Sequence, residues 1–146
     1  MKPEKTKTGA ILFLCTGNSC RSQMAEGFAR FMASDGIQIY SAGIAPAGVN
    51  PLTVQVMREA GVDIRSQASK GLSTVPLDKI DTVITLCGHA EEHCPTFPGS
   101  VKRHHWPIDD PVKVRGAEQE VLRAFREARD EIRDRVKDFM EKIKNE

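Results

Sequence analysis

The run AILFLC, residues 10–15, ends in a cysteine and passes through only five residues, TGNSC, into RSQMAEGFARF. Near-continuous apolar residues over so short a stretch mark a strand covered on both faces. Met24, Phe28, Phe31 and Met32 then recur at helical spacing. They predict a helix to about Ser34 with one apolar face, capped by Ser19 or Ser22. A strand, a tight loop and a helix in that order open a parallel sheet, because a parallel neighbour is reached through such a crossover.

The rest of the chain repeats the alternation. IQIYSAG (37–43) reads as a second strand, and Asn50 before Pro51 starts a helix that ends at Gly61. DTVITLC (81–87) reads as a third strand and VKRHHW (101–106) as a short fourth. From Gly116 a single long helix is expected. Its stripe is Val121, Phe125, Ala128, Ile132, Val136, Phe139 and Ile143, and its charged residues form a solvated face. The expectation is an α/β fold, a three-layer α/β/α arrangement around a four-stranded parallel sheet. With 146 residues and no repeat, residues 9–146 make one domain after a loose tail, 1–8.

A formal charge of +1 gives no reason to expect nucleic acid or an anionic membrane as partner. No apolar stretch is long enough to span a bilayer, and the N-terminus lacks a secretory pattern, so a cytoplasmic protein is expected. In a reducing compartment the four cysteines, Cys15, Cys20, Cys87 and Cys94, are packing residues, metal ligands or redox groups rather than a disulfide framework. Ligands of parallel sheets bind beyond the carboxyl ends of strands, and Cys15 and Cys87 both fall at such ends.

The loop after Cys15 has its own chemistry. A short turn from a strand into a helix directs backbone N–H groups toward one point, here those of Thr16, Gly17, Asn18, Ser19 and Cys20. Arg21 adds a planar fork suited to a tetrahedral oxyanion. The same field favours a thiolate at Cys15, and Ser22 can donate to it. Gly17 permits a turn that other residues resist, while Asn18 tolerates the left-handed region or braces the loop. The pattern predicts an oxyanion cradle with a nucleophile at its base.

CTGNSCRS resembles the signature loop of the low-molecular-weight protein tyrosine phosphatase family. Together with YSAGI, GVNP, VITLC and HWPIDDP it is similar to the thioredoxin-coupled arsenate reductases of that family. The similarity runs from about residue 10 to 111, with a weaker helical match beyond. It implies that Cys15 is the nucleophile, Arg21 the oxyanion ligand, Ser22 the thiolate stabiliser and Asp110 the general acid, with Asp109 a nearby competitor. It also implies a relay. Cys15 attacks arsenate, Cys87 attacks Cys15 and releases arsenite, Cys94 attacks Cys87, and thioredoxin or a glutaredoxin reduces the last disulfide.

Three alternatives stay open at this level: a reductase, a phosphatase of the same family, and an oxyanion-sensing module without turnover. A phosphotyrosine phosphatase is expected to carry an aromatic residue after the DP pair, where this chain has Val112, and it has no use for the cysteines of CGHAEEHC. Cys87 and Cys94 are seven apart. A helix there would separate them by ~10 Å along its axis, whereas a disulfide needs Cα atoms within ~7 Å. The segment must therefore unwind to oxidise, which Gly88 and Pro95 favour.

A zinc site from Cys87, His89, His93 and Cys94 has no standard spacing, so no metal is expected. The two histidines are read as surface residues that modestly acidify nearby thiols. His104 and His105 carry no assigned role, and Cys20 is read as a packing residue. Some of the similar reductases hold potassium with an asparagine, a glutamate, a serine and an aspartate. Asn18, Glu26 and Ser41 match, but Lys70 stands in the place of the aspartate. No bound cofactor is expected, potassium included, and a monomer is the simplest expectation.

Overall fold

A computed structural model of the chain describes residues 9–145. The tail expected over residues 1–8 lies outside the described residues. The order is β1 (Gly9–Cys15), α1 (Arg21–Met32), β2 (Ile37–Gly43), α2 (Pro51–Glu59), β3 (Thr82–Thr85), α3 (Gly88–Glu92), β4 (Lys102–His105) and α4 (Glu118–Lys144). All strand pairs are parallel, in the spatial order β2-β1-β3-β4. The four-stranded parallel sheet inferred from the alternation is thus present, with β1 hydrogen-bonded on both sides.

Strand geometry sends alternate side chains of β1 to opposite faces. Ile11, Phe13 and Cys15 pack with α1, α2 and the inner stripe of α4. Ala10, Leu12 and Leu14 pack on the other face with Val75, Ile80, Ala90 and Phe97. The layers are therefore unequal. Long helices cover one face, while the other is covered by α3 and by two 3₁₀ turns at Leu72–Thr74 and Leu77–Lys79.

Several local expectations are corrected. α1 is preceded by Cys20 and has no side-chain cap, because Ser22 is already helical and its hydroxyl bonds elsewhere. Phe31 is 71% exposed and so leaves the apolar face of α1, on which Met24, Phe28 and Met32 pack as expected. α2 matches its start signal: Asn50 Oδ1 accepts from Leu52 N at 2.9 Å. It stops at Glu59, with the left-handed backbone turn at Gly61. β3 and β4 are shorter than the apolar runs that announced them. In α4, Phe125, Ala128, Ile132 and Val136 are buried as expected, and Met140 joins them.

Candidate active site

Cys15 closes β1 at the carboxyl edge of the sheet, and α1 begins six residues later. Between them, the Cys15, Thr16, Gly17 and Ser19 carbonyls accept bonds from Ile44 N (3.1 Å), Ala45 N (2.8 Å), Ala47 N (2.9 Å) and Asn50 N (3.0 Å). A trans peptide turns the next N–H away from its carbonyl. With four carbonyls drawn to the 44–50 segment, the N–H groups of Thr16, Gly17, Asn18 and Cys20 face the opposite side. Converging N–H groups are what the oxyanion cradle expected of this loop requires.

The left-handed residue of the loop is Asn18, at φ 46°, and not Gly17. A Cβ on Gly17 would meet nothing closer than 3.5 Å. The glycine that the loop requires is Gly43, at the end of β2. A Cβ there would lie 2.7 Å from Thr16 O and 2.8 Å from Asn18 N. Sequence reasoning missed this residue, although YSAG places a glycine at a strand end beside the loop.

The nucleophile candidate is held by an oriented chain of hydrogen bonds. Cys15 is 2% exposed, and its Sγ lies 2.8 Å from Ser22 Oγ. Asn18 Nδ2 donates to Ser22 Oγ at 2.7 Å and to Ser41 Oγ at 2.9 Å. Asn18 Oδ1 accepts from Gln23 Nε2 and from Lys70 N, which fixes the amide orientation. Ser22 Oγ is thus already an acceptor, and its own hydrogen is left to point at the sulfur.

Beneath that chain, Ser41 Oγ donates to Glu26 Oε1 at 2.5 Å. Lys70 Nζ bonds Glu26 Oε1 (3.3 Å), Ser41 Oγ (3.2 Å) and the Ala68 carbonyl (2.8 Å). Arg30 binds the second Glu26 oxygen at 2.8 Å. The residues that would hold a cation in similar reductases are therefore engaged by an ammonium of the chain itself. A potassium ion does not fit this set, because Lys70 brings like charge to it.

Arg21 is 8% exposed. It donates to the Ile108 carbonyl at 2.9 Å and pairs with Asp110 at 3.4 Å. The chain after β4 runs along the end of β3, with Trp106 N on Thr85 O and Ile108 N on Leu86 O, and this carries Asp110 to the loop. Asp110 Oδ1 also accepts from Val112 N, so it caps the 3₁₀ turn Pro111–Lys113 while facing Arg21. Asp109 is exposed.

Cys87 precedes α3 as its N-cap, with Ala90 N donating to its sulfur at 3.4 Å. Thr16 Oγ1 lies 3.3 Å from Cys87 Sγ and 3.2 Å from His89 Nδ1, so the cradle touches the second cysteine directly. His93 stacks on His89 at 4.3 Å. Helix α3 ends at Glu92 and Cys94 lies beyond it, a shorter helix than the full segment the spacing argument considered. His105, read as having no role, bonds Thr85 and lies 3.4 Å from Glu91 of α3. All four cysteines are unbridged. Burial pushes the Cys20 thiol up to about 12, which suits a packing residue inside the loop rather than a nucleophile. Among the described residues no cluster could hold a metal ion, and no helix is long and apolar enough to cross a membrane. A cavity of about 500 Å³ opens at the opposite end of the sheet, at Gly9, Ile37, Thr82 and Lys102.

Residues 10–146 match the family model of the low molecular weight phosphotyrosine protein phosphatases. An arsenate reductase of Bacillus licheniformis is 53% identical over 131 residues, covering 90% of this chain and 94% of that protein. A solved arsenate reductase in the oxidised state superposes with a TM-score of 0.80 at 32% identity, covering 93% of this chain and 99% of the other. A thioredoxin-dependent arsenate reductase of Corynebacterium glutamicum superposes with a TM-score of 0.68 at 28% identity, over 94% of this chain and 62% of the other.

Proposed function

The chain belongs to the low molecular weight phosphotyrosine protein phosphatase family, and we propose that this member reduces arsenate to arsenite through a relay from Cys15 to Cys87 to Cys94. The observation that carries the relay is the contact of Thr16 Oγ1 with Cys87 Sγ at 3.3 Å. It puts a second thiol against the loop that holds the first.

The loop N–H groups and Arg21 bind the arsenate oxygens, and Arg21 exchanges its partner Asp110 for the anion. Cys15 thiolate, stabilised by the Ser22 hydroxyl, attacks arsenic. The Asp110 carboxyl gives a proton to the departing oxygen. Cys87 then attacks Cys15 Sγ. The S–As bond breaks and its electron pair stays on arsenic, so arsenite leaves as two sulfurs become a disulfide. His89 Nδ1 is the base that takes the Cys87 proton, relayed through the Thr16 hydroxyl that lies between them. Cys94 attacks Cys87 Sγ and frees Cys15 as thiolate. A dithiol protein, thioredoxin or a glutaredoxin, then reduces Cys87–Cys94 in the reducing cytoplasm.

One chain suffices for every step, in keeping with a monomer. No soluble cation is required beside the loop, because Lys70 supplies the charge. Arsenite formation should be measured with thioredoxin, thioredoxin reductase and NADPH, then with a glutaredoxin system, against release of phosphate from an aryl phosphate. Turnover that needs a dithiol reductant supports the relay. Efficient phosphate release that ignores the reductant would identify a phosphatase, and neither activity a binding module.

A further inference from the structure

Strand β4 lies beside β3 with Arg103 opposite Val83, and the Arg103 side chain reaches the segment after α3. Its Nη1 donates to Cys94 Sγ at 3.0 Å and its Nη2 to the Pro95 carbonyl at 3.0 Å. The guanidinium lies over the Phe97 ring, 5.6 Å from its centre. Phe97 is buried in the lower core, so the fork is held by an aromatic surface on one side and directed at a thiol on the other.

We infer that Arg103 is the positioning residue for the third cysteine, holding the Cys94 sulfur and donating to it during the attack on Cys87. The inference rests on the three-cysteine relay. The attacking species in disulfide exchange is the thiolate, and a guanidinium N–H directed at the sulfur stabilises that charge. Cys94 Sγ attacks Cys87 Sγ of the Cys15–Cys87 disulfide. The new bond is Cys87–Cys94, the bond to Cys15 breaks, and its electron pair leaves on Cys15 Sγ. No proton or further oxidant enters this step.

The same contact acts in the opposite sense once the step is complete. A disulfide sulfur is a poorer acceptor than a thiolate, so the contact with Arg103 weakens once Cys94 has attacked. One of the ties that hold the segment after α3 to β4 is loosened as the new disulfide forms. Reduction restores the thiol and with it the tie.

The test separates early from late steps in the purified full chain. Rapid quench with mass spectrometry follows the first arsenite released and, separately, conversion of Cys15–Cys87 into Cys87–Cys94. In Arg103→Ala the first arsenite should appear at the parental rate, while conversion slows about twofold to fivefold, the scale of one partly solvated charge-assisted contact. Arg103→Lys keeps the charge and should recover most of the rate. Arg103→Gln keeps a donor for the Pro95 carbonyl without the charge and should behave like Arg103→Ala.

Parental conversion in Arg103→Ala overturns the inference. So does a fast Gln variant beside a slow Lys variant, which would show that Arg103 only props the segment. Cys94→Ser is the control for the underlying reading. If it still turns over many times, the relay itself is wrong. If it stops after one arsenite while Arg103→Ala converts normally, the relay stands and only the role of Arg103 falls.

Discussion

Replacing Lys70 by alanine tests whether this chain carries its own cation beneath the loop. The ammonium is bound to Glu26, Ser41 and the Ala68 carbonyl, and the Glu26 side chain is only 4% exposed. Removing one partner of a fully buried pair costs roughly 3–5 kcal/mol. Two observations reduce that figure. Glu26 keeps Arg30 at 2.8 Å, and Lys70 is 25% exposed. The expected loss is therefore about 1–2 kcal/mol. For a chain of this length each kcal/mol moves the melting temperature by roughly 2–4 °C, so Lys70→Ala should melt about 3–6 °C below the parent. Thermal denaturation should be followed in potassium and in sodium chloride at matched ionic strength. The parent should melt alike in both. Lys70→Asp, which puts a carboxylate beside Glu26 in place of the ammonium, should melt low in sodium and rise saturably with potassium. A saturable potassium response in the parent would refute the reasoning, as would Lys70→Ala melting with the parent.

Cys15→Ser should abolish arsenate reduction and any aryl phosphate hydrolysis. Cys87→Ser or Cys94→Ser should end multiple turnover yet spare slow hydrolysis, while Cys20→Ser keeps reductase turnover near parental; coupled and hydrolytic assays on the four variants check the set. Gly43→Ala forces a methyl against the loop backbone at 2.7–2.9 Å, so kcat/KM should fall on the order of tenfold to a hundredfold, read against its melting temperature. Glu59 is bonded by Arg126 and Arg129 between α2 and α4, and the Arg126 hydrogen bond foremost lowers its carboxyl from 4.5 to about 2. A depressed carboxyl stabilises the fold above its unfolded value and loses that contribution as pH falls toward 2. Denaturant titrations of Glu59→Gln between pH 7 and pH 2 should show the parental advantage shrinking below about pH 4.5, by less than ~1 kcal/mol because the pair is partly solvated.

Elements with local signals were legible in the sequence. The buried run before Cys15 announced β1, and Asn50-Pro51 announced α2 with its cap. The loop residues and Arg21 announced a cradle through their types and order. Features decided by partners far along the chain were not legible. Helical spacing groups Phe31 with Met24 and Phe28 but does not reveal where the neighbouring layer ends. The sequence leaves the left-handed turn to Gly17 or Asn18, and Asn18 takes it, with its amide fixed by Gln23 and the Lys70 backbone. Lys70 and Glu26 lie 44 positions apart, so no local pattern pairs them, and only the resemblance, which sets Lys70 beside Asn18, Glu26 and Ser41, points to the ammonium there. Nothing local in VKRHHW marks Arg103, because only the folded strand brings its guanidinium to Cys94.

The order of the sheet also acts as a ruler. Cys15 ends β1, Cys87 follows β3, and Cys94 is tied to Arg103 on β4. Adjacent strands lie ~4.8 Å apart, close to the ~5.5 Å between the Cα atoms of a disulfide. In the proposed relay the first exchange therefore carries the sulfur–sulfur bond about one strand sideways, from the end of β1 to the segment after β3, and the second carries it along the chain to beyond α3. Cys15 is buried at the end of a strand paired on both sides, whereas Cys94 is half-buried beyond α3. On the proposed relay, a strand inserted between β1 and β3 would break the circuit even with every cysteine intact.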